Sequence, residues 1–265
     1  MRHDNPLSSV AMNCFVALIF AFLISPSIVV VILSFSSAPY LTFPPPGLSL
    51  QWYESYVHSE SWMDATVRSV LVAGAVTVIS LVLGTLAAIG LVRYAAFGSQ
   101  LLRAILISPI IMPSIVLGIG LYYVFAKWHI VGTWYGLVLA HTVLATPFVI
   151  ITVSAALSGV ERTLEKAALS MGASAWRTFW SVLLPQIRSG VWAGAVFAFI
   201  TSFDEIVVTM FIAGLSPTLP KKMYDGIKFE VSPTLTSVAT VLIVVSAAVL
   251  ILGSLMGRAR TDRPA

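Results

Sequence analysis

Residues 165–187 read EKAALSMGASAWRTFWSVLLPQI, an ordered, helix-forming stretch set between segments that are far more apolar. Residues 165–171 are rich in strong helix formers, Gly172 is able to take the left-handed conformation that ends a helix, and Ser174 is a good N-cap for a second helix. Pro185 disfavours helical geometry at Leu184, so the second helix is expected to end or kink there. The stretch therefore predicts a helix, a sharp turn and another helix. Ala167, Ala168, Gly172 and Ala173 make the turn slim enough for its backbone to enter a groove on another protein. Trp176, Phe179 and Trp180 are expected to hold it against neighbouring helices.

Outward from this stretch the chain becomes a membrane protein. Of its 265 residues, 58% are hydrophobic and only 10% charged, and the mean hydropathy is +0.95. That composition cannot make an ordinary water-soluble surface. A membrane-crossing helix needs ~20 predominantly apolar residues, and six stretches qualify: 14–35, 66–92, 101–126, 133–157, 191–213 and 235–256. Strands of a β-barrel would show short alternating segments instead. The expected fold is all-α, with six transmembrane helices. The first run, preceded by Arg2 and His3 and followed by Ser36-Ser37-Ala38, has features of a cleavable signal, but its apolar core is about twice the usual ~7–15 residues. It reads as an uncleaved anchor. Cys14, the single cysteine, has no partner for an intrachain disulfide.

The formal net charge of +4 does not indicate nucleic acid, because the basic residues lie in short stretches between apolar runs, where they set topology. With the N-terminus inside, Arg2, Arg93, Arg103, Arg162, Lys166, Arg177, Arg188, Arg258, Arg260 and Arg263 face the cytoplasm. Arg68, Lys127, Lys221, Lys222 and Lys228 face outside. Both termini are thus expected in the cytoplasm, with 165–187 in the longest inside loop. The expected parts are 1–65, an anchor helix with the first outside loop; 66–256, the transmembrane domain including the loop 158–190; and 257–265, a cytoplasmic tail.

The loop resembles the "EAA" loop of ABC-importer permeases, whose pattern is Glu-Ala-Ala, three residues, Gly, nine residues, then Ile-x-Leu-Pro. Ala167, Ala168, Gly172, Val182, Leu184 and Pro185 stand at the matching spacing, while the slot for the motif's Glu holds Lys166, with Glu165 one residue earlier. SFSSAPYLTFPPPGLSLQWY (34–53), SFDEIVVTMFIAG (202–214) and LPKKMYDGIKFEVSPTLTSVAT (219–240) are similar to the second permease subunit of spermidine/putrescine-type importers. The resemblance covers nearly the whole chain. It implies the type I importer permease fold with cytoplasmic coupling helices, in a bacterial inner membrane. It also implies, as partners, a second homologous permease chain, a cytoplasmic ATPase dimer, an external solute-binding protein and the lipid bilayer, and a small solute of polyamine-like or other cationic kind. The residues that the resemblance places at the ATPase are Glu165, Lys166, Ala167, Ala168, Gly172, Ala173 and Ser174. Two other readings stay open at this point: an ion-coupled secondary transporter, although no internal repeat is evident, and a non-transport scaffold subunit.

No G-x-x-x-x-G-K-[ST] phosphate loop occurs in the chain, so ATP chemistry is expected in a partner. The scattered histidines, His3, His58, His129 and His141, and the lone Cys14 form no catalytic or metal-binding pattern, and no cofactor is expected. His141 reads as a helix-to-helix hydrogen bond, with lining of a polar path as the other reading. Gly74, Gly84, Gly90, Gly118 and Gly120 read as close-packing residues. PPPG at 44–47 reads as a stiff turn. Lys221, Lys222 and Lys228, alternating with Met223, Tyr224, Ile227 and Phe229, suggest a short amphipathic piece on the outer surface. Asp204 and Glu205 fall midway along the fifth span. A carboxylate at that depth costs at least ~2.5–3.5 kcal/mol unless it faces a polar cavity or a partner. Thr201 and Thr209, one turn to either side of Glu205, extend a polar stripe, so the four residues are expected to line a translocation path. The bland alternative is an acid that caps or bridges helices at the interface with the second permease.

Overall fold

The computed structural model describes residues 6–94, 99–229 and 232–258. Arg2, His3, Arg260 and Arg263, and the tail beyond Arg258, lie outside the described residues. Helix dominates, as the hydropathy pattern requires: backbone polar groups in lipid must be satisfied within their own segment. No strand occurs among the described residues, only an isolated bridge between Ser36 and Leu48.

Among the described residues, five helices are long and apolar enough to cross a membrane. They are α1 (Pro6–Ser34), α3 (Glu60–Arg93), α6 (Trp134–Ser158), the continuous run Ala175–Phe203, and α12 (Thr234–Arg258). The run is built from α8 (Ala175–Thr178), a π-helical turn (Phe179–Leu183) and α9 (Leu184–Phe203). The shorter helices are α2 (Gln51–His58), α4 (Ser99–Ile111), α5 (Ser114–Lys127), α7 (Arg162–Ser170), α10 (Val207–Ile212) and α11 (Leu219–Phe229).

The third expected span, 101–126, is not one rod. Its two halves, α4 and α5, meet at 106°. Pro113 is the cause. It has no N–H to donate, its ring pushes the preceding residue out of helical geometry, and it stands before α5 at φ −56°, ψ 128°. Taken as one bent span, the pair brings the total to six. The fifth span departs from expectation as well: α9 ends at Phe203, and α10 begins only at Val207.

By internal packing the chain divides into two units. The larger comprises Ser61–Tyr224 with Ser246–Ala265. Its core is centred on α6, where Leu137, Val149, Ile150, Val153 and Leu157 are fully or almost fully buried. Val72 and Val76 of α3, Phe125 of α5, Ile187 and Ala198 of α9, and Val208 and Ile212 of α10 complete it. Between helices in lipid the stabilisation is close packing rather than water exclusion, and small residues decide where it occurs. A Cβ on Gly190 would lie 2.6 Å from the Thr152 carbonyl oxygen, and one on Gly194 would lie 2.9 Å from Thr152 Oγ1. These two glycines, which the sequence reading did not single out, let α9 lie along α6. Of those it did, Gly84 and Gly118 are pressed against Val149 and Phe211, whereas a Cβ on Gly74, Gly90 or Gly120 would meet no other element of the described residues within 4 Å.

The smaller unit comprises Met1–Glu60 with Asp225–Val245. α1 is apolar all round and none of its most hydrophobic window is buried within the chain, which suits a helix surrounded by lipid. The segment after it reverses through the proline turn. Ser37 N donates to Gly47 O at 3.0 Å and Ser49 N to Phe35 O at 2.7 Å. Trp52 Nε1 donates to Ser36 O at 2.8 Å, and the hydroxyls of Ser34 and Tyr53 pair at 2.7 Å. From α12, Ser237 Oγ donates to Trp52 O at 3.1 Å.

The amphipathic piece expected around Lys221–Phe229 is α11. At its start Leu219 N donates to Ser69 Oγ at 2.7 Å. Lys222 reaches the Ser61 hydroxyl and lies 4.6 Å from the centre of the Trp62 ring. Burial there holds its ammonium below the ordinary lysine range, against the pull of Asp64.

Candidate functional site

Two interruptions of helix carry the residues that the sequence marks for function. The first is the loop between α6 and α9. α7 ends in a left-handed turn, with Gly172 at φ +87°. Gly172 N donates to Leu169 O at 3.0 Å and Ala173 N to Ala168 O at 3.1 Å, so one residue past the end closes the last carbonyls of the helix. Apart from Gly172 and its two chain neighbours, no atom of the described residues lies within 4 Å of where a Gly172 side chain would start. Ser174 caps α8 as expected, its Oγ accepting from Arg177 N at 3.3 Å. Along this loop Ala168 is buried, Ala173 is half-buried, and Lys166, Ala167, Gly172 and Ser174 are exposed.

Two expectations are corrected here. Pro185 does not end the second helix, and Leu184 keeps helical angles of φ −57°, ψ −42°. The π-turn just before it absorbs the proline: Leu184 N bonds five residues back, to Phe179 O, which widens the helix where the proline ring and its missing donor would otherwise conflict with it. Of the aromatics expected to hold the loop against neighbouring helices, Phe179 packs against the core, but the two tryptophans remain exposed. Trp176 is 71% exposed and Trp180 50%. Thr178 and Leu183 are the buried residues of this segment; Trp176 stacks on Phe179 at 6.3 Å, while Trp180 meets Trp176 and Phe179 edge-on at 5.5 and 5.3 Å.

Glu165 faces inward. Its Oε1 lies 2.8 Å from Nη2 of Arg93, the last residue of α3, with only 7% of the Arg93 side chain and 21% of the Glu165 side chain exposed. The same Nη2 donates to Val160 O at 2.9 Å. The guanidinium thus ties the end of α3 to both the entry of the loop and α7. The contact is a charge pairing rather than an aligned hydrogen bond, since neither Glu165 Oε1 nor Arg93 Nε has an aligned partner among the described residues. The pair was not foreseen, because Arg93 lies 72 residues earlier in the chain.

The second interruption is the break in the fifth span. Asp204 follows α9 at φ −95°, ψ 4°, its N–H bonded to Ile200 O, and it is exposed. Glu205, half-buried, turns its carboxylate onto the first turn of α10, where Oε1 accepts from Val208 N at 2.8 Å. Thr209 Oγ1 donates to Glu205 O at 2.8 Å. The exposed backbone groups of the break are thus satisfied by the break's own side chains.

His141, fully buried in α6, spans the interruption. Its Nδ1 pairs with Ser202 Oγ at 2.9 Å and its Nε2 with Thr209 Oγ1 at 2.9 Å. Because the Thr209 hydroxyl hydrogen is engaged by the Glu205 carbonyl, the ring hydrogen toward Thr209 belongs to Nε2. In the neutral ring Nδ1 then accepts from Ser202. His141 is therefore the helix-to-helix link anticipated from the sequence, tying α6 to the residues on both sides of the break. The expected continuous polar stripe is corrected: the backbone leaves the helix between Thr201 and Thr209, and Thr209 is fully buried against His141. Thr201 is half-buried.

Comparison with known proteins agrees with this architecture. The family model described as "Binding-protein-dependent transport system inner membrane component" matches residues 80–261. The spermidine/putrescine transport system permease protein PotC of Haemophilus influenzae is 31% identical over 248 residues, covering 93% of this chain and 96% of its own. The putrescine transport system permease protein PotI of Escherichia coli K12 is 31% identical over 236 residues, covering 84% of this chain and 82% of its own. Among solved structures, a bacterial ABC transporter that imports the acidic polysaccharide alginate shares the fold with a TM-score of 0.76 at 13% identity, over 97% of both chains. The MetNI methionine ABC transporter gives 0.60 at 22% identity, over 80% of this chain and 99% of that one.

Proposed function

This chain belongs to the family of binding-protein-dependent transport system inner membrane components, the permeases of ABC importers, and we infer that it forms half of a translocation path for a small polyamine-like cation. Membership sets aside the secondary-transporter and scaffold readings. The other half of the path is a second homologous permease. ATP is hydrolysed by a separate cytoplasmic dimer that grips the loop around Gly172, and an external binding protein delivers the solute. The basic residues place both termini and this loop in the cytoplasm. The working parts are the anchor and first outside loop (1–65), the transmembrane domain with its loop at 158–190 (66–256), and a cytoplasmic tail (257–265).

One observation supports the cationic substrate most directly: two adjacent carboxylates, Asp204 and Glu205, sit where a membrane span is broken. Irregular backbone at membrane depth is tolerated where it is buried in protein or lines an aqueous cavity, and secondary transporters, a different class, place their substrate sites at such discontinuous helices. The Asp204 carboxylate is exposed and, unlike that of Glu205, caps no helix end, so it is the group left to meet a solute. Glu205 adds its charge from one position along, and Thr201 stands one turn earlier at the end of α9. Thr209 contributes from behind by holding the break in shape. The names of the relatives, which carry spermidine and putrescine, point to the same class of solute.

The test is uptake of labelled putrescine and spermidine by proteoliposomes containing the assembled importer, its binding protein and internal ATP. At least one of Asp204→Asn and Glu205→Gln is expected to lower uptake about tenfold or more, equivalent to about 1.4 kcal/mol of lost interaction with the passing cation. Subunit association should be unchanged. Full uptake by both variants, or loss through failed assembly alone, rejects the path role.

A further inference from the structure

The loop that we assign to the ATPase is basic on its exposed side, and the structure shows why its own acid does not change that. In the EAA pattern this position offers a carboxylate. Here Lys166 occupies the slot, and Glu165 beside it is turned inward, 2.8 Å from a buried guanidinium. Arg93 neutralises that acid within the chain. Arg162 and Lys166, one helical turn apart on α7, are both exposed and have no ion pair among the described residues. They border a cavity of about 360 Å³, also lined by Arg93, Tyr94, Glu165 and Leu169. Three cations and one carboxylate give this cavity a formal charge of +2. Glu161, the other acid of the loop, lies ahead of α7 and does not line the cavity. Beside the cations, the surface becomes slim and apolar: Ala167 is exposed, Met171 is 83% exposed, and Gly172 has no side chain.

We propose that the ATPase supplies the carboxylate of this contact: an aspartate or glutamate of its docking groove enters the cleft between Arg162 and Lys166, reversing the polarity of the EAA pattern. The inference rests on the reading that the loop docks an ATPase. Charge complementarity selects an acidic partner group. The adjoining slim apolar turn selects a protein groove over a lipid headgroup, which has no use for Met171 and Gly172.

The experiment uses the full importer, with both permeases and the ATPase co-expressed from their gene neighbourhood and captured through a tag on this chain. The ATPase retained is measured over a salt series. Lys166→Glu is expected to lower retention about tenfold or more, and Lys166→Gln and Arg162→Gln by less. Wild-type retention should fall as salt rises. Changing the acids of the ATPase groove to lysine one at a time should identify one that restores retention to Lys166→Glu, which no folding defect would allow. Retention by Lys166→Glu equal to wild type overturns the proposal while leaving the docking reading intact. A wild-type chain that retains no ATPase overturns both. A loss that appears in phosphatidylglycerol nanodiscs and vanishes in phosphatidylcholine assigns the cleft to a lipid headgroup and overturns it too.

Discussion

The turn at 171–173 and the break at 204–206 both interrupt a helix, but they are built from different materials. The turn is made of backbone. One residue at φ +87° redirects the chain, the closing bonds run between main-chain groups, and among the described residues nothing beyond the turn's own backbone stands where a Gly172 side chain would start. The break is made of side chains. Glu205 caps one end, Thr209 ties back the carbonyl, and His141 reaches in from α6 to hold Ser202 and Thr209 together. A backbone turn leaves its outer surface free for another protein to grip. A side-chain break is fixed from inside, so its shape depends on residues in two spans while one carboxylate stays exposed.

The largest effect is expected at the turn. Gly172→Leu forces a branched side chain into left-handed geometry, at a cost of ~1–2 kcal/mol, and places bulk on the surface assigned to the ATPase. Co-purification of the ATPase should weaken severely and uptake should collapse, while the helices still insert. Gly172→Ala carries the conformational cost with little bulk, so comparing the two separates shape from strain. If both variants retain the ATPase and full uptake, the turn is not the gripped surface.

The break should respond differently. Glu205→Gln keeps an oxygen for the Val208 N–H and removes the charge, whereas Glu205→Ala removes both. Uptake should fall in both variants if the charge serves the path. The melting temperature of the purified complex should fall only in the alanine variant, because loss of such a cap costs about 0.5–2 kcal/mol. Normal uptake by the glutamine variant with a melting loss in the alanine variant would make Glu205 a structural cap alone and leave Asp204 to carry the path.

The same contrast explains how much was legible in the sequence. The turn was readable to the residue, since glycine and a following serine declare backbone geometry locally. The six apolar runs were readable because membrane thickness sets their length. The breaks were not. Hydropathy averages over Met112-Pro113 and over Asp204-Glu205, and the 106° bend of the third span left only a proline as its sign. For the fifth, the acids admitted a cap as well as a path, since an acid three residues ahead of a free N–H is a capping pattern, but neither reading located the end of the helix. Arg93 with Glu165, and His141 with Ser202 and Thr209, are long-range pairs with no local signature. The exposed tryptophans taught the reverse lesson, because aromatic character alone does not say whether a residue packs on its own chain or on another.

His141→Leu should have an intermediate effect. The change keeps apolar bulk in α6 but deprives Ser202 Oγ of its partner and leaves Thr209 held only through the Glu205 carbonyl. Stranding buried polar groups costs about 1–3 kcal/mol, so the complex should melt at lower temperature with its assembly intact. Uptake should fall because the segment carrying Asp204 loses its brace. An unchanged melting temperature would show that the break is closed by Glu205 and Thr209 without help from α6.

The smallest effect is expected from Ser174→Ala, although it too removes a helix cap. The bond it deletes is long, at 3.3 Å, the residue is exposed, and water can replace the lost acceptor for Arg177 N. The left-handed turn and its main-chain bonds remain, so redirection of the chain does not depend on the serine. The loss should fall at the low end of the range for caps, about 0.5 kcal/mol, with ATPase co-purification and uptake close to wild type. The informative measurement pairs this variant with Glu205→Ala in the same melting assay, since each removes one side-chain acceptor from one helix start. A turn held by backbone and a break held by side chains require the glutamate variant to lose clearly more. Equal losses would mean that the loop relies on its side-chain cap as much as the span does.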